Sequence, residues 1–307
     1  MDPEMNLLQG FAADCRTRGM AEISVKTYVA HARRFQDFIQ AKGKKILETD
    51  RLDVRDYVEQ MRQRKNSTKS IRYHLAALSG LYEWLIFEGL TETNPAIDVR
   101  MRYMRRGKKD DECHTHKIIS VEEMAKFLEA FLDPRDKAIA LVFAKTGIRK
   151  GELISLDVDS IRWGDNSLLL KKTKKRSHGL VYFDDEAAYY LKRWMTLREG
   201  REGSDGEALF LSTQGERLGI GGINAMFRKA AVRTGLHDLK SDRMEDHFSP
   251  HCCRHWFTTH LLLNGMQREF VQWLRGDHDG AAYMKYYHIP PNVVRESYLA
   301  HIPQLGV

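Results

Sequence analysis

Apolar residues recur at helical intervals through most of residues 23–88, with polar residues between them. Spacings of three and four residues place such positions on one face of an α-helix, so the segment predicts a bundle of amphipathic helices. One long helix is expected to begin at Ser67 or Thr68, where a hydroxyl can cap it, and to end at Gly89. A shorter helix is expected over residues 52–61. The apolar positions of the two long helices are Tyr28, Ala32, Phe35 and Ile39, and Ile71, Leu75, Leu78, Tyr82 and Leu85.

Residues 100–117 break this pattern, because they are dense in charge, poor in large aliphatic side chains and without a helical stripe. Such composition is typical of a linker between folded units. We place the domain boundary at residues 105–117. The expected organisation is a helical domain over residues 1–104, a charged linker over residues 105–117 and a second domain over residues 118–307.

The second domain is predicted to be largely helical. Ser120 and Glu123 have the spacing of a capping box, which marks the start of a helix. Residues 137–145 are apolar enough to form a buried helix and Gly147 offers a C-terminal cap, so Arg149 would directly follow a helix end. Farther on, two short β-prone runs flank the basic turn KKTKKR, which predicts a hairpin. The predicted fold class is mainly α with a small β-hairpin or sheet (α+β).

The charge distribution points to a polyanionic partner. The chain of 307 residues has a formal net charge of +7, with basic clusters in residues 100–109 and in the turn of the predicted hairpin. Clustered positive charge is typical of proteins that bind nucleic acid, although either cluster could instead be solvated surface. The residues expected to contact double-stranded DNA are Arg100, Arg102, Arg105, Arg106, Lys174, Lys175 and Arg176.

Several classes of protein are disfavoured. No apolar run approaches the roughly 18 residues that span a bilayer, and the N-terminal residues lack a basic start followed by an apolar core, so we expect a cytoplasmic protein. The four cysteines have no CxxC spacing and are expected to be reduced thiols. His251, Cys252, Cys253 and His255 are too closely spaced for a usual zinc site. We therefore expect neither a metal nor a cofactor.

The last quarter of the chain carries the most distinctive chemistry, with HCCRH followed by RGDH and then KYYHI. Arg254 in the first motif and Arg149 in TGIRKGEL lie beside apolar helices, and two guanidinium groups can hold the non-bridging oxygens of a phosphodiester. A tyrosine is a weak nucleophile near neutral pH unless cations or a base stabilise its phenolate, which these arginines and His251 could do. Lys172, in the basic turn, is the preferred general acid for a leaving 5′-hydroxyl.

TGIRKGEL, the lysine-bearing hairpin, HCCRH and YYH together resemble the tyrosine recombinase (phage integrase) family, in the order that the family has. The resemblance covers nearly the whole chain, including a helical core-binding domain at the N-terminus, and implies two domains that form a C-shaped clamp around DNA. Each motif alone could be structural, with an arginine capping a helix or a histidine in the core. The resemblance therefore rests on the occurrence of all the motifs together in the order of the family. Carried over by motif, the catalytic residues are Arg149, Lys172, His251 and Arg254, with Glu152 and His255 in support.

The chain departs from the family pattern where an LGH motif is expected and LRGDH is found. If Gly276 takes the family glycine position, Asp277 stands in place of the histidine and His278 is displaced by one. Both are candidates for that role. Nine residues from Asp277 lies Tyr286, which also fits the YxH ending, whereas nine from His278 lies Tyr287. The candidate nucleophiles, in order of preference, are Tyr286, Tyr287 and Tyr283.

The resemblance implies a site-specific recombinase or integrase that breaks and rejoins DNA strands through a 3′-phosphotyrosyl intermediate. Because bond energy is kept in the covalent link, neither ATP nor a metal is required. Four subunits would assemble on two duplexes, each docking a C-terminal segment onto a neighbour. We expect residues 290–307 to carry an apolar set that one subunit does not bury, formed by Val293, Val294, Tyr298 and Leu299.

Two alternative functions stay open at the level of sequence. A type IB topoisomerase-like nickase would share the tyrosine chemistry but relax a single duplex, and the helical N-terminal domain favours a recombinase over it. A DNA-binding protein that kept the fold and lost catalysis is the other alternative, because of Asp277. LRGD in place of LGH is similar to integrases of archaeal viruses and plasmids. The DNA site, and the choice between mobile-element integration and the dimer resolution of Xer-like enzymes, are not specified by the sequence.

Overall fold

The computed structural model describes residues 3–104, 118–171, 176, 178–200, 206–241, 243–276 and 289–307. The chain divides into two compact units, Met1–Glu112 and Cys113–Val307. The predicted fold class is confirmed, since the described residues are mainly helical and their strands form one small sheet. None of the described helices is both long and apolar enough to cross a membrane.

The first unit packs its described helices around one apolar core. They are α1 (Pro3–Thr17), α2 (Glu22–Gln40), α3 (Arg51–Gln63), α4 (Thr68–Phe87) and α5 (Pro95–Tyr103), with a 3-10 turn at Ile46–Glu48. The prediction for α4 is confirmed, because Ser67 Oγ accepts a hydrogen bond from the N–H of Ser70 at 3.1 Å and so caps the first turn. The apolar stripe of α4, including Leu75 and Leu78, is fully buried.

Helix α5 extends into the charged segment that starts at Arg100, and the helix ends before residue 105. The side chain of Asn94 caps this helix by accepting two backbone N–H groups of its first turn, both at 3.2 Å. Val99 is buried in the core of the first unit, so packing sustains the helix through a segment whose charge suggests a linker. Of the arginines expected to contact DNA, Arg100 and Arg102 are exposed on α5, and Arg105 and Arg106 lie outside the described residues.

The first unit encloses a pair of stacked imidazole rings. The ring centroids of His31 and His74 lie 3.9 Å apart, and the Tyr57 hydroxyl lies 2.9 Å from Nδ1 of His74. Burial raises the pKa of Tyr57 to about 12, so the phenol stays protonated and donates to this nitrogen. Burial, together with the positive charges of His31 and Arg34, lowers the pKa of His74 to about 4. His74 is therefore neutral in the folded unit at neutral pH.

We expect the first unit to lose stability when the solution is acidified from pH 7 to pH 5. A histidine with a lower pKa in the folded than in the unfolded state stabilises the fold fully above its unfolded pKa, about 6.5, and this contribution declines as the pH falls towards the folded value. For His74 the loss at pH 5 is about 2 kcal/mol. Hydrogen exchange of the α3 and α4 amides in the full chain, corrected for intrinsic rates, measures this loss.

The matched control is His74→Asn, whose side-chain oxygen can replace Nδ1 as the acceptor for Tyr57 without titrating. This variant should show a smaller loss of amide protection at pH 5 than the wild-type chain. If its loss equalled that of the wild type, the pH dependence would belong to other groups.

The second unit is built around α7, whose residues 138–146 are all buried. Its described helices are α6 (Val121–Glu129), α7 (Pro134–Thr146), α8 (Lys150–Ile154), α9 (Asp185–Glu199), α10 (Ile220–Arg233), α11 (Pro250–Leu263), α12 (Arg268–Arg275) and α13 (Pro291–His301), with 3-10 turns at Val158–Ser160 and Met244–Asp246. α7 packs against α9 and α11. The capping box at α6 is confirmed, since Ser120 Oγ accepts the N–H of Glu123 at 3.1 Å and the carboxylate of Glu123 accepts the N–H of Ser120 at 2.8 Å.

The sheet of the second unit has the order β1 (Ile161–Arg162), β2 (Ser167–Leu169), β3 (Leu180–Tyr182) and is antiparallel. The predicted hairpin is confirmed, because Ser167 pairs with Tyr182 and Leu169 with Leu180. β1 has too few residues to show an alternating pattern, so the sequence does not predict it. Residues 172–175 and 177, in the turn of the hairpin, lie outside the described residues.

Helix α13 corrects the expectation that one subunit leaves the C-terminal apolar set uncovered. Val294 and Tyr298 are fully buried inside the second unit, where they join a cluster that includes Phe257. Only the other half of the set, Val293 and Leu299, is exposed, at 39% each. The helix is amphipathic and turns its apolar side towards its own unit, which a residue count along the sequence cannot reveal.

The main chain after α13 is held by a buried ion cluster, here called the tail socket and formed by Lys145, Asp184 and Glu186. Lys145 Nζ lies 2.5 Å from a carboxylate oxygen of each acidic residue and donates to the carbonyl oxygen of Pro303 at 2.7 Å. Glu186 accepts the backbone N–H of Leu305 at 3.0 Å. The described C-terminal residues are thus bound to the second unit through these backbone atoms and through the buried side chains of Ile302 and Leu305.

Candidate active site

Glu152 orients Arg149 at the N-terminus of α8. Oε2 of Glu152 accepts the backbone N–H of Arg149 at 2.6 Å, and Oε1 lies 3.2 Å from Nη1 of the Arg149 guanidinium. A carboxylate at this position also interacts favourably with the N-terminus of the helix. The Glu152 side chain is 5% exposed and that of Arg149 is 34% exposed. A buried carboxylate therefore fixes a guanidinium that still faces solvent.

Arg254 lies on α11 and is buried. Its Nη1 donates to the carbonyl oxygen of Gly147 at 2.7 Å, and its Nη2 donates to the carbonyl oxygen of Arg275 at 3.1 Å. The first bond joins α11 to the turn that precedes Arg149, and the second joins α11 to the end of α12. The structure thus brings the TGIRKGEL and HCCRH motifs together.

The position of Arg176 corrects the expectation that it reaches DNA from an exposed hairpin tip. Its side chain is 0% exposed, and Nη1 lies 3.2 and 3.3 Å from the two carboxylate oxygens of Glu152. The guanidinium also donates to the carbonyl oxygens of Leu274 at 2.6 Å and Arg275 at 3.2 Å. Burial of this charge is tolerated because a carboxylate and carbonyl groups satisfy it.

Side chains from other elements cap the last carbonyl groups of α12. His178 Nε2 lies 2.5 Å from the carbonyl oxygen of Trp273, and its Nδ1 accepts an N–H of β3 at 3.2 Å, which assigns the ring proton to Nε2. Burial lowers the pKa of His178, so the ring is neutral. Arg176 and Arg254 bind the next two carbonyl groups. These contacts fix the point at which the chain leaves α12, immediately before residue 277.

Glycine is required at the two turns that adjoin these arginines. Gly147 and Gly276 both adopt left-handed backbone conformations, with φ of 61° and 63°. A Cβ at Gly147 would lie 2.5 Å from the ring of Phe257, and one at Gly276 would lie 2.4 Å from Cγ of Arg176. The predicted C-terminal cap at Gly147 is confirmed. Gly276, the glycine of LRGDH, is needed both because its backbone is left-handed and because Arg176 leaves no space for a Cβ.

Gly276→Ala is expected to lower the free energy of unfolding of the second unit by more than the cost of placing an alanine in a left-handed backbone conformation. The conformation costs about 1–2 kcal/mol for a residue with a Cβ, and displacement of Arg176 adds to it. Gly235→Ala is the matched control, since Gly235 has a φ of 72° and no atom within 4 Å of an added Cβ. Urea unfolding should place Gly276→Ala below Gly235→Ala by about 1 kcal/mol or more. Equal losses would show that Arg176 moves aside freely.

His251 and His255 lie one turn apart on α11. Their ring centroids are 4.7 Å apart and the ring planes meet at 88°. His251 is exposed in the first turn of the helix, and His255 is partly buried. The two rings therefore pack edge to face. His251, the exposed one, is the ring within reach of a substrate.

Eight predicted site residues lie outside the described residues: Arg105, Arg106, Lys172, Lys174, Lys175, Asp277, His278 and Tyr286. Their roles stay predictions. Lys171, just before the turn, forms an ion pair with Asp157 at 2.6 Å. Among the described residues, no group of three or more His, Cys, Asp or Glu side chains is placed to hold a metal ion.

Sequence reasoning missed the contributions of His178 and of the Arg275 carbonyl group. Both belong to the capped end of α12, and basic side chains are favoured at the C-terminus of a helix. The basic residues Arg176 and His178 are visible in the RSH sequence of the hairpin. The carbonyl groups that they bind, however, belong to residues 95 or more positions away along the chain. No local pattern identifies such partners.

Residues 117–292 match the sequence profile of the phage integrase family, and residues 7–92 match that of the phage integrase N-terminal SAM-like domain. The first match alone covers more than half of the chain. The chain belongs to the phage integrase family. The expected resemblance and the enzyme class that it implies, the tyrosine recombinases, are confirmed.

Named relatives of this phage integrase family member cover most of its length. Tyrosine recombinase XerC of Alcanivorax borkumensis is 30% identical over 244 residues, which are 77% of this chain and 74% of the relative. Tyrosine recombinase XerD of Oceanobacillus iheyensis is 25% identical over 298 residues, 94% of each chain.

Solved integrase structures share the fold. A lambda integrase dimer bound to a COC′ core site aligns with a TM-score of 0.70 and 17% identity, over 92% of this chain and 76% of that one. The Tn1549 transposon integrase in complex with circular intermediate DNA aligns with a TM-score of 0.65 and 19% identity, over 94% and 98%. At these identities the likeness concerns architecture.

Proposed function

We propose that this protein is a site-specific DNA recombinase that cuts and rejoins one strand at a time through a 3′-phosphotyrosyl intermediate. The observation that carries the proposal is the joining of Arg149 and Arg254 through Glu152, Arg176 and the Arg275 carbonyl group. Two guanidinium groups fixed in this way are suited to the charge that develops on a phosphate under attack. Residues 105–117 would link the catalytic unit to a DNA-binding N-terminal unit.

The proposed cleavage step is an in-line displacement at phosphorus. The Tyr286 oxygen bonds to phosphorus while the bond from phosphorus to the 5′-oxygen breaks. The phenol proton passes to His251, and the 5′-oxygen takes a proton from Lys172. Arg149 and Arg254 stabilise the non-bridging oxygens, and Asp277 or His278 assists. Because one phosphoester replaces another, the second strand can reverse the step without ATP.

We further propose that four copies act on two duplexes in the cytoplasm. The lambda integrase structure is a dimer on a core site, which favours assembly on DNA for a protein of the same fold. The tail socket offers a means of joining copies, since it binds the backbone at Pro303 and Leu305 and would accept the same segment of a neighbour. Exchange of tails between copies would then accompany assembly.

Covalent trapping tests the proposed chemistry. The full chain is incubated with a nicked duplex, enriched from a random pool by binding, whose cleaved fragment diffuses away. A denaturation-resistant adduct is expected, and mass mapping of its peptides should find the DNA on Tyr286. Addition of a partner duplex should yield exchanged strands. Tight binding without an adduct would favour the inactive binder, and relaxation of supercoiled DNA without strand exchange would favour the nickase.

A further inference from the structure

The Arg176 side chain contacts both the carboxylate that orients Arg149 and a carbonyl group to which Arg254 binds. Its guanidinium binds both oxygens of Glu152, which orients Arg149. It also binds the carbonyl oxygen of Arg275, which Arg254 shares. Arginine has five donors in a planar fork, and this arrangement needs that shape as well as the charge.

The charges of this cluster explain why a second arginine is useful beside Glu152. A lone Arg149–Glu152 pair would be neutral, so the carboxylate that orients the guanidinium would also cancel its attraction for phosphate. With Arg176 on the other side of the carboxylate, two positive charges face one negative charge. The buried Arg176 thereby compensates Glu152, and the partly exposed Arg149 retains a net positive field towards solvent.

The hydrogen bonds of Arg176 to the end of α12 connect it to Arg254 as well. Arg176 and Arg254 donate to the same carbonyl oxygen, at 3.2 and 3.1 Å. Gly276 follows directly, and it leaves no room for a Cβ beside Arg176. Loss of Arg176 would free the end of α12, against which Arg254 is aligned.

We propose that Arg176 is a positioning residue that compensates the charge of Glu152 and aligns both Arg149 and Arg254 for phosphate. This inference rests on the proposed function. Arg176 itself does not touch DNA; it acts through the two arginines.

The test compares single-turnover cleavage of a phosphodiester with that of a methylphosphonate at the scissile position. A methylphosphonate is neutral, so its transition state has less need of positive charge from arginine. Arg176→Met should lower the rate on the phosphodiester about 10- to 100-fold and the rate on the methylphosphonate by less than about threefold. Arg149→Ala should likewise slow cleavage of the phosphodiester more than cleavage of the methylphosphonate. The affinity for DNA should change little in either variant.

Arg135→Met is the matched control for loss of a largely buried arginine. Arg135 donates to Asp136 at 2.7 Å and to the carbonyl oxygen of Leu211 at 2.9 Å, and no contact of these joins it to the site. Its rates on the two substrates should change by the same factor. An equal loss on both substrates for Arg176→Met, or no loss on either, would overturn the inference.

A double variant guards against misfolding of Arg176→Met. Glu152→Gln removes the charge that Arg176 compensates, so Glu152→Gln/Arg176→Met should fold and should cleave the phosphodiester faster than Arg176→Met or, if that variant is insoluble, than Arg176→Lys. Purely additive losses would contradict the charge-balance argument. If the wild-type chain formed no adduct with either substrate, the proposed function would fail instead, and the two failures are thus distinct.

Discussion

Tyr286→Phe should abolish the covalent protein–DNA adduct, lowering the cleavage rate by at least about 10⁴-fold. Phenylalanine keeps the ring but has no oxygen to bond to phosphorus, and no other step in the proposed reaction can replace that bond. DNA affinity should be retained, because Arg149, Arg254 and the basic segments are unchanged. Adduct yield on a nicked suicide duplex, resolved on a denaturing gel, gives the measurement.

Tyr287→Phe and Tyr283→Phe are the controls for this substitution. Both should retain the adduct, since the conformation and contacts of residue 276 require glycine and so favour the register in which Gly276 takes the family glycine position. In that register the ninth residue after Asp277 is Tyr286. An adduct that survives Tyr286→Phe but is lost in Tyr287→Phe would move the register by one and make His278 the counterpart of the family histidine.

Arg149→Ala is expected to reduce single-turnover cleavage about 10³-fold, which corresponds to about 4 kcal/mol of transition-state stabilisation. The substitution removes a charged donor and leaves Glu152 facing the phosphate with only Arg176 as its guanidinium partner. Arg149→Lys should recover little, because a lysine cannot reproduce the planar fork that binds a carboxylate and a phosphate together. Rates at saturating protein separate this effect from binding.

Lys150→Ala provides the matched loss of charge next to Arg149. Lys150 donates to Asn224 at 3.0 Å and has no contact with Glu152 among the bonds described for it. Its cleavage rate at saturating protein should stay within about threefold of the wild type. If Arg149→Ala and Lys150→Ala had similar rates, Arg149 would contribute only general electrostatic attraction.

The parts of the fold that local sequence patterns specify were predictable. The caps at Ser67, Ser120 and Gly147 act within a few residues of themselves, and a helix or hairpin beside each cap shows its own period. The two motifs that hold Arg149 and Arg254 were also predictable as a pair, because the family resemblance supplied a relation that no local rule contains.

The remaining features depend on contacts between distant segments. Arg176 belongs to a basic run that resembles a solvated turn, but its partners are Glu152, 24 residues away, and the carbonyl groups of α12, 98 and 99 residues away. The burial of Val294 and Tyr298 depends in the same way on α12, β3 and α11. Composition cannot distinguish a buried, fully satisfied arginine from an exposed one.

The tail socket has a thermodynamic consequence for assembly. It holds backbone atoms at Pro303 and Leu305, which are identical in every copy of the chain. Exchange of tails between two copies would therefore replace each bond by an equivalent one, and contact energy would favour neither arrangement. The equilibrium between exchanged and unexchanged tails would instead depend on the effective concentration of one copy around another. This concentration rises when a duplex holds copies side by side. DNA could in this way select the exchanged form without touching the socket.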